Sequence, residues 1–143
     1  MNLRKTHRWL VAALLAGALA PTVASARVFT VGGDIACDFH SVQAALDAAA
    51  ASPGRDTIRI ARNLRHEGGV LVARGDEVRL VGGFADCRRE YPLGVTRLGR
   101  DGEPVRLVSD GVQRVAVAAL FTGDALLAVE STAVAASAVE LAP

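Results

Sequence analysis

Aromatic rings, lysine and cysteine are all scarce in this 143-residue chain. Beyond residue 26 there is no tryptophan, and only Phe29, Phe39, Phe84, Tyr91 and Phe121 carry large rings. That lowers the expectation of a surface that stacks sugars on aromatic faces. Tyr91, beside Pro92, is the best-placed ring for such stacking, although a loop ring packed back on the protein is the favoured expectation. The single lysine is Lys5, so from residue 27 onward the positive charge is all arginine, 13 against 15 acidic residues, a net charge of −2 with histidines neutral. This balance argues against an electrostatic grip on nucleic acid. The one basic doublet, Arg88-Arg89, is flanked by Asp86 and Glu90.

Catalytic patterns are equally thin. The glycine pairs at 32 to 33, 68 to 69 and 82 to 83 never form G-x-G-x-x-G or G-x-x-x-x-G-K-[ST], so nucleotide binding is weakly supported and turns are the expected use. No strand-like segment carries adjacent or alternate aspartates of the sort that cleave glycosidic bonds. Asp76-Glu77 is the only acidic doublet, and it reads as a polar turn entering a strand over 78–81. Asp101 and Glu103 around Gly102 read as a loop. A Ser41, His66 and Asp38 triad can be written on paper, but no G-x-S-x-G turn presents a nucleophile. Cys37-Asp38-Phe39-His40 has C-x-x-H spacing, yet a structural zinc needs four ligands and only His66 is left to join. The sequence therefore assigns no catalytic, cofactor-binding or metal-binding residue.

What is present begins with a three-zone leader: a basic start at Arg4, Lys5 and Arg8, an apolar stretch from Trp9 to Ala20, and Val23-Ala24-Ser25-Ala26 with small residues at the positions an export peptidase reads. Cleavage is expected after Ala26, leaving 27–143 as a single domain bound for the periplasm, the cell surface or the medium. The apolar stretch is about a dozen residues, short of the roughly 20 that span a bilayer as a helix, and no later segment is longer. Cys37 and Cys87 are the only cysteines. An even count in an exported chain suggests a disulfide, with two free thiols or a metal pair as the competing reading. A bridge closing a loop of that length is worth about 4 kcal/mol from chain entropy.

Val28-Phe29-Thr30-Val31 reads as a strand ended by Gly32-Gly33. Ser41 is a suitable cap for a helix whose apolar positions Val42, Ala45, Leu46 and Ala49 follow i, i+3, i+4, i+7 spacing, and Ser52-Pro53-Gly54 stops it. Its narrow, alanine-rich stripe should lie against something flat or cover an end. Four similar tetrapeptides follow: Ile58-Arg59-Ile60-Ala61, Val78-Arg79-Leu80-Val81, Val105-Arg106-Leu107-Val108 and Leu127-Ala128-Val129-Glu130. In the first three the arginine alternates with apolar neighbours, as a half-buried strand requires. Val70-Leu71-Val72 and Val115-Ala116-Val117 are weaker candidates. Recurrence at this spacing is the mark of a stacked solenoid, an ordinary small β-rich domain being the alternative. The tail from Ala125 to Ala142 suits either strand or helix.

The order of Val28–Val31, Cys37, the helix Ser41-Val42-Gln43-Ala44-Ala45-Leu46, the strand Asp56-Thr57-Ile58, and Val78-Arg79-Leu80-Val81-Gly82-Gly83-Phe84 with Cys87 resembles the front of bacterial secreted right-handed parallel β-helix proteins of the pectin-lyase-like class. The likeness covers about Val28 to Cys87. It implies an all-β fold, a short β-helix of about three or four coils, with the helix as an N-terminal cap and Cys37 paired with Cys87 to fasten it. It also implies unpaired strand edges that need covering. Enzymes of this class carry their acids, bases and calcium ligands on middle coils that are missing or rudimentary here. The expectation is therefore a secreted or cell-surface protein without catalysis, structural or adhesive, or a shortened relative of a longer one; a polysaccharide lyase or hydrolase is the alternative. Its expected partners are a polysaccharide or another protein chain at the exposed last coil, a second copy forming a homodimer included.

Overall fold

A computed structural model describes residues 25–64, 69–99, 103–112, 114–122, 125–131 and 138–141. The leader reading falls almost wholly on residues outside this set, as does His66. The described chain is mostly β with one helix: β1 (Val28–Val31), α1 (Val42–Ala50), β2 (Arg55–Ala61), β3 (Gly69–Ala73), β4 (Glu77–Phe84), β5 (Thr96–Leu98), β6 (Val105–Ser109), β7 (Arg114–Ala118), β8 (Leu120–Thr122), β9 (Ala125–Leu126), β10 (Val129–Ser131) and β11 (Ala138–Leu141). The ambiguous tail contributes the strands β9, β10 and β11 and no helix among its described residues.

The strands form a five-stranded sheet ordered β1-β2-β4-β7-β11, and two three-stranded sheets ordered β10-β6-β3 and β5-β8-β9. Every pairing is parallel except that of β8 with β9. From β4 onward the chain visits the five-stranded sheet, then the β5 sheet, then the β6 sheet, and returns in the same order through β7, β8, β10 and β11. Strands of one sheet stack in register, so that Ile58, Leu80 and Val117 form one inward column. These side chains meet Leu107 of the second sheet and Leu98 and Leu120 of the third in a common buried core.

The alternation expected in the first three tetrapeptides holds: Ile58 and Ile60, Val78 and Leu80, and Val105 and Leu107 are buried, with the intervening arginine turned outward. The three do not share one sheet. The first two lie in the five-stranded sheet, whereas Val105–Val108 lies in the second three-stranded sheet and pairs with the weaker candidate at Val70–Val72. The fourth is displaced, with Leu127 buried before the strand and β10 starting at Val129. A half-buried strand has the same alternation whichever wall it joins, so local pattern does not encode the wall.

Helix α1 forms as its spacing predicts, with Val42, Ala45, Leu46 and Ala49 buried and the Ser41 hydroxyl accepting from the Ala44 amide. It rests against β1, β2 and β3. Gln43 does more than face solvent. Its side-chain amide donates to the Val72 carbonyl at 3.0 Å and its oxygen accepts from the Val72 N–H at 2.8 Å, replacing the ladder partner that edge strand β3 lacks.

The Gly82-Gly83 pair corrects the turn expectation. Both residues lie inside β4, at a register shift where they stand opposite Ile60. A bulge of this kind leaves ladder groups unpaired. Here the buried Thr96 hydroxyl accepts from Gly83 N–H at 2.8 Å and donates to the Ile60 carbonyl at 2.9 Å. Gly83 has φ +90°, and a Cβ on Gly82 or Gly83 would collide with the carbonyl oxygen of Ala119 or Gly94 respectively. Glycine is required at both.

Two substitutions test these contacts. Gln43→Ala should lower the unfolding free energy by about 1–2 kcal/mol, the scale of two partly buried hydrogen bonds, read from urea midpoints. Thr96→Val keeps the shape but orphans two buried backbone groups. It should cost about 2–4 kcal/mol, and a loss no larger than that of Gln43→Ala would contradict the role given to its hydroxyl.

Candidate functional site

The outer face of the five-stranded sheet gathers several charged side chains on one regular surface. Parallel register sets Arg55, Glu77 and Arg114 in one row across β2, β4 and β7, and Thr57, Arg79 and Ala116 in the next. Alternation puts them all outward, because the residues between them, Asp56, Val78 and Val115, fill the interior. A depression of about 190 Å³ lies over these rows, floored by the small side chains of Thr57, Ala116 and Ala118 and rimmed by the three arginines.

Glu77 was expected in a turn; it is instead the first residue of β4, where its Oε1 lies 2.9 Å from Arg55 Nε and 4.0 Å from Arg114 Nη1. Asp76 does lie in the turn and accepts from the Gly54 N–H. Arg79 is exposed, and no ion pair or hydrogen bond engages it among the described residues. The depression thus holds three guanidinium groups against one carboxylate. Guanidinium forks match carboxylate, sulfate and phosphate oxygens in pairs. At this volume, below the roughly 300–1,000 Å³ of pockets that enclose drug-sized ligands, the site fits a charged group presented by a larger molecule. One carboxylate already engaged by two arginines is not the acid and base pair of glycoside hydrolysis.

The other sequence candidates take structural places. Cys37 and Cys87 are disulfide-bonded with Cα atoms 5.2 Å apart, which ties the turn after β1 to the turn after β4. Asp38 Oδ2 accepts from both the amide and the hydroxyl of Thr30, Ser41 caps α1, and the His40 Nδ1 lies 2.7 Å from the Gly32 carbonyl oxygen. Asp38 and Ser41 are therefore already engaged in holding the turn and the helix. Ala26 is exposed and precedes β1. Tyr91 departs from expectation: it is 75% exposed, although its neighbour Leu93 donates its N–H to the Gly83 carbonyl of β4. Among the described residues, no three His, Cys, Asp or Glu side chains come together as a metal site, and no helix is long and apolar enough to cross a membrane.

The sequence places only Arg79 of the three arginines on a strand's outward face, and leaves Arg55 and Arg114 just outside the strand candidates, so the rows do not emerge from it. The visible signal was the recurrence of arginine at the outward position of Arg55, Arg79 and Arg114 together with two-residue side-chain periodicity. Sequence reading also missed β5, although Thr96-Arg97-Leu98 repeats the inward, outward, inward pattern.

Glu77→Gln removes the carboxylate that lines the depression. It should change stability by less than about 1 kcal/mol, as for other solvent-accessible ion pairs, and raise the salt concentration needed to elute the protein from a sulfated polysaccharide column. Earlier elution would mean that Glu77 organises the arginines more than it neutralises them. No protein-family model, no curated protein and no solved structure matches the chain.

Proposed function

We propose that this chain is a short right-handed parallel β-helix, exported from the cytoplasm and capped at its front by α1, that binds an acidic polysaccharide at the cell surface without cleaving it. The observation that carries the binding half of the reading is the set of Arg55, Arg79 and Arg114 around the single Glu77. Arg55 and Arg114, two strands apart in one row, and Arg79 in the next offer three guanidinium groups to the carboxylates or sulfates of such a polymer, on strands that recur about every 4.8 Å.

Other features support the architectural half. The ordered return of the chain from β4 onward to three sheets, paired in parallel except at β8 and β9, is in keeping with a solenoid of coils. Gln43 on the β3 edge is the contact expected of a helix that covers an open end. The Cys37–Cys87 bridge is chemistry suited to an oxidising compartment outside the cytoplasm.

The reading is tested by presenting the exported protein with uronate-rich, sulfated and neutral polysaccharides, measuring retention alongside new reducing ends and unsaturated product. Retention is expected on the acidic polymers alone. It should fall with salt and weaken about fivefold in Arg79→Ala, the upper range for one solvent-exposed ion pair. Unsaturated product would establish a lyase instead, and equal retention on neutral polymers would remove the arginine rows from the account.

A further inference from the structure

The inward columns of the five-stranded sheet are apolar with one exception. Val78 and Val115 stand in register with Asp56, a carboxylate only 1% exposed at the front of the stack. Its Oδ1 accepts from the Arg27 backbone N–H at 2.9 Å, and its Oδ2 is buried with no hydrogen-bond partner. Adjacent Arg55 is turned to the opposite face and paired with Glu77, so it does not serve as counter-ion. A buried, half-satisfied carboxylate is costly and calls for an explanation.

The identity of the donor supplies one. Arg27 is the residue that follows the expected cleavage point, Ala26. Its carbonyl oxygen accepts from the Thr57 N–H at 2.8 Å, so the Arg27 backbone is held in the sheet beside Asp56 from both sides of the residue. We propose that removal of the leader makes the new α-ammonium group of Arg27 the counter-ion of the buried Asp56; this rests on the reading of residues 1–26 as an export signal. Hydrolysis of the Ala26–Arg27 amide consumes one water. The hydroxyl goes to the Ala26 carbonyl to give a carboxylate, and the released amine of Arg27 takes up a proton. One amide N–H is replaced by a positive group with three N–H donors, enough to satisfy Oδ2 as well as Oδ1. Maturation thereby locks the first strand, and an uncleaved chain lacks the lock.

The composition makes this measurable. With Lys5 removed, the α-amine of Arg27 is the only amine in the protein, so an acylating reagent reports on that group alone. The full chain is expressed with its leader and the exported product is sequenced from its N-terminus. A start at Arg27 is expected. A start elsewhere would sink the leader reading itself, whatever Asp56 does.

With a start at Arg27, the amine should be acylated at least about tenfold more slowly in the native protein than in denaturant, and Asp56→Asn should abolish the protection. Inserting one glycine between Ala26 and Arg27 restores an amide at the site and keeps Asp56. It should raise the unfolding equilibrium constant by about ten- to a hundredfold, the scale of hydrogen bonds to a charged group, and have no such effect in the Asp56→Asn background. If the asparagine variant does not fold, the glycine insertion and the labelling rates decide alone. Equal labelling in native and denatured protein, or unchanged stability on insertion, would overturn the ion pair.

Discussion

The Thr96 hydroxyl sits where the stack changes from two walls to three. Between β2 and β4 the described chain visits only β3, but from β4 onward each circuit also passes through the sheet of β5 and β8. The change falls at the bulge opposite Ile60, where extra backbone re-aims the end of β4. Bending a strand in the interior strands polar groups away from water, and Thr96, at 1% exposure, bonds to both sides of the break. Gly82 and Gly83 leave room for the backbone of Ala119 and Gly94 to close over it. Without that corner the third wall has no fixed starting point, and the buried column of Leu98 and Leu120 has nothing to pack against.

The front of the molecule solves a different problem. A parallel sheet ends in unpaired amides and carbonyls, and an open edge invites another strand. Two local devices cover such edges: the Gln43 amide on Val72 of β3, and the Asp38-Phe39 segment, which bonds to Thr30 and Gly32 along β1. Each is made from outside the strand it serves. The outer face of the five-stranded sheet, by contrast, carries side chains that do little for packing, and this is where binding is proposed.

Much of the local structure was legible. The spacing of Val42, Ala45, Leu46 and Ala49 identifies the buried stripe of α1, and the valine, arginine, leucine alternation identifies the inward face of β4 and β6. The order in which strands join walls was not, because Val78–Val81 and Val105–Val108 have the same pattern in different sheets. Thr96 and Asp56 were hidden for a related reason: a polar residue in a strand pattern reads as outward, and only the tertiary contacts show that these two point in. The arginine rows needed the register between strands separated by a full circuit, which no local window contains. One charged pair held away from its ordinary titration is also a long-range one: Glu130 lies below its ordinary value because Arg106, across β6 and β10, donates hydrogen bonds to it.

The disulfide has a further consequence, in the order of synthesis. With two cysteines in the whole chain, no incorrect intramolecular bridge exists, so oxidation involves no search among isomers. Both partners also precede β5. As the chain emerges from its N-terminus, the covalent ring from Cys37 to Cys87, which contains α1, β2, β3 and β4, can close while β5 to β11 are still to arrive. The later strands then add, one circuit after another, to a template whose ends are already joined.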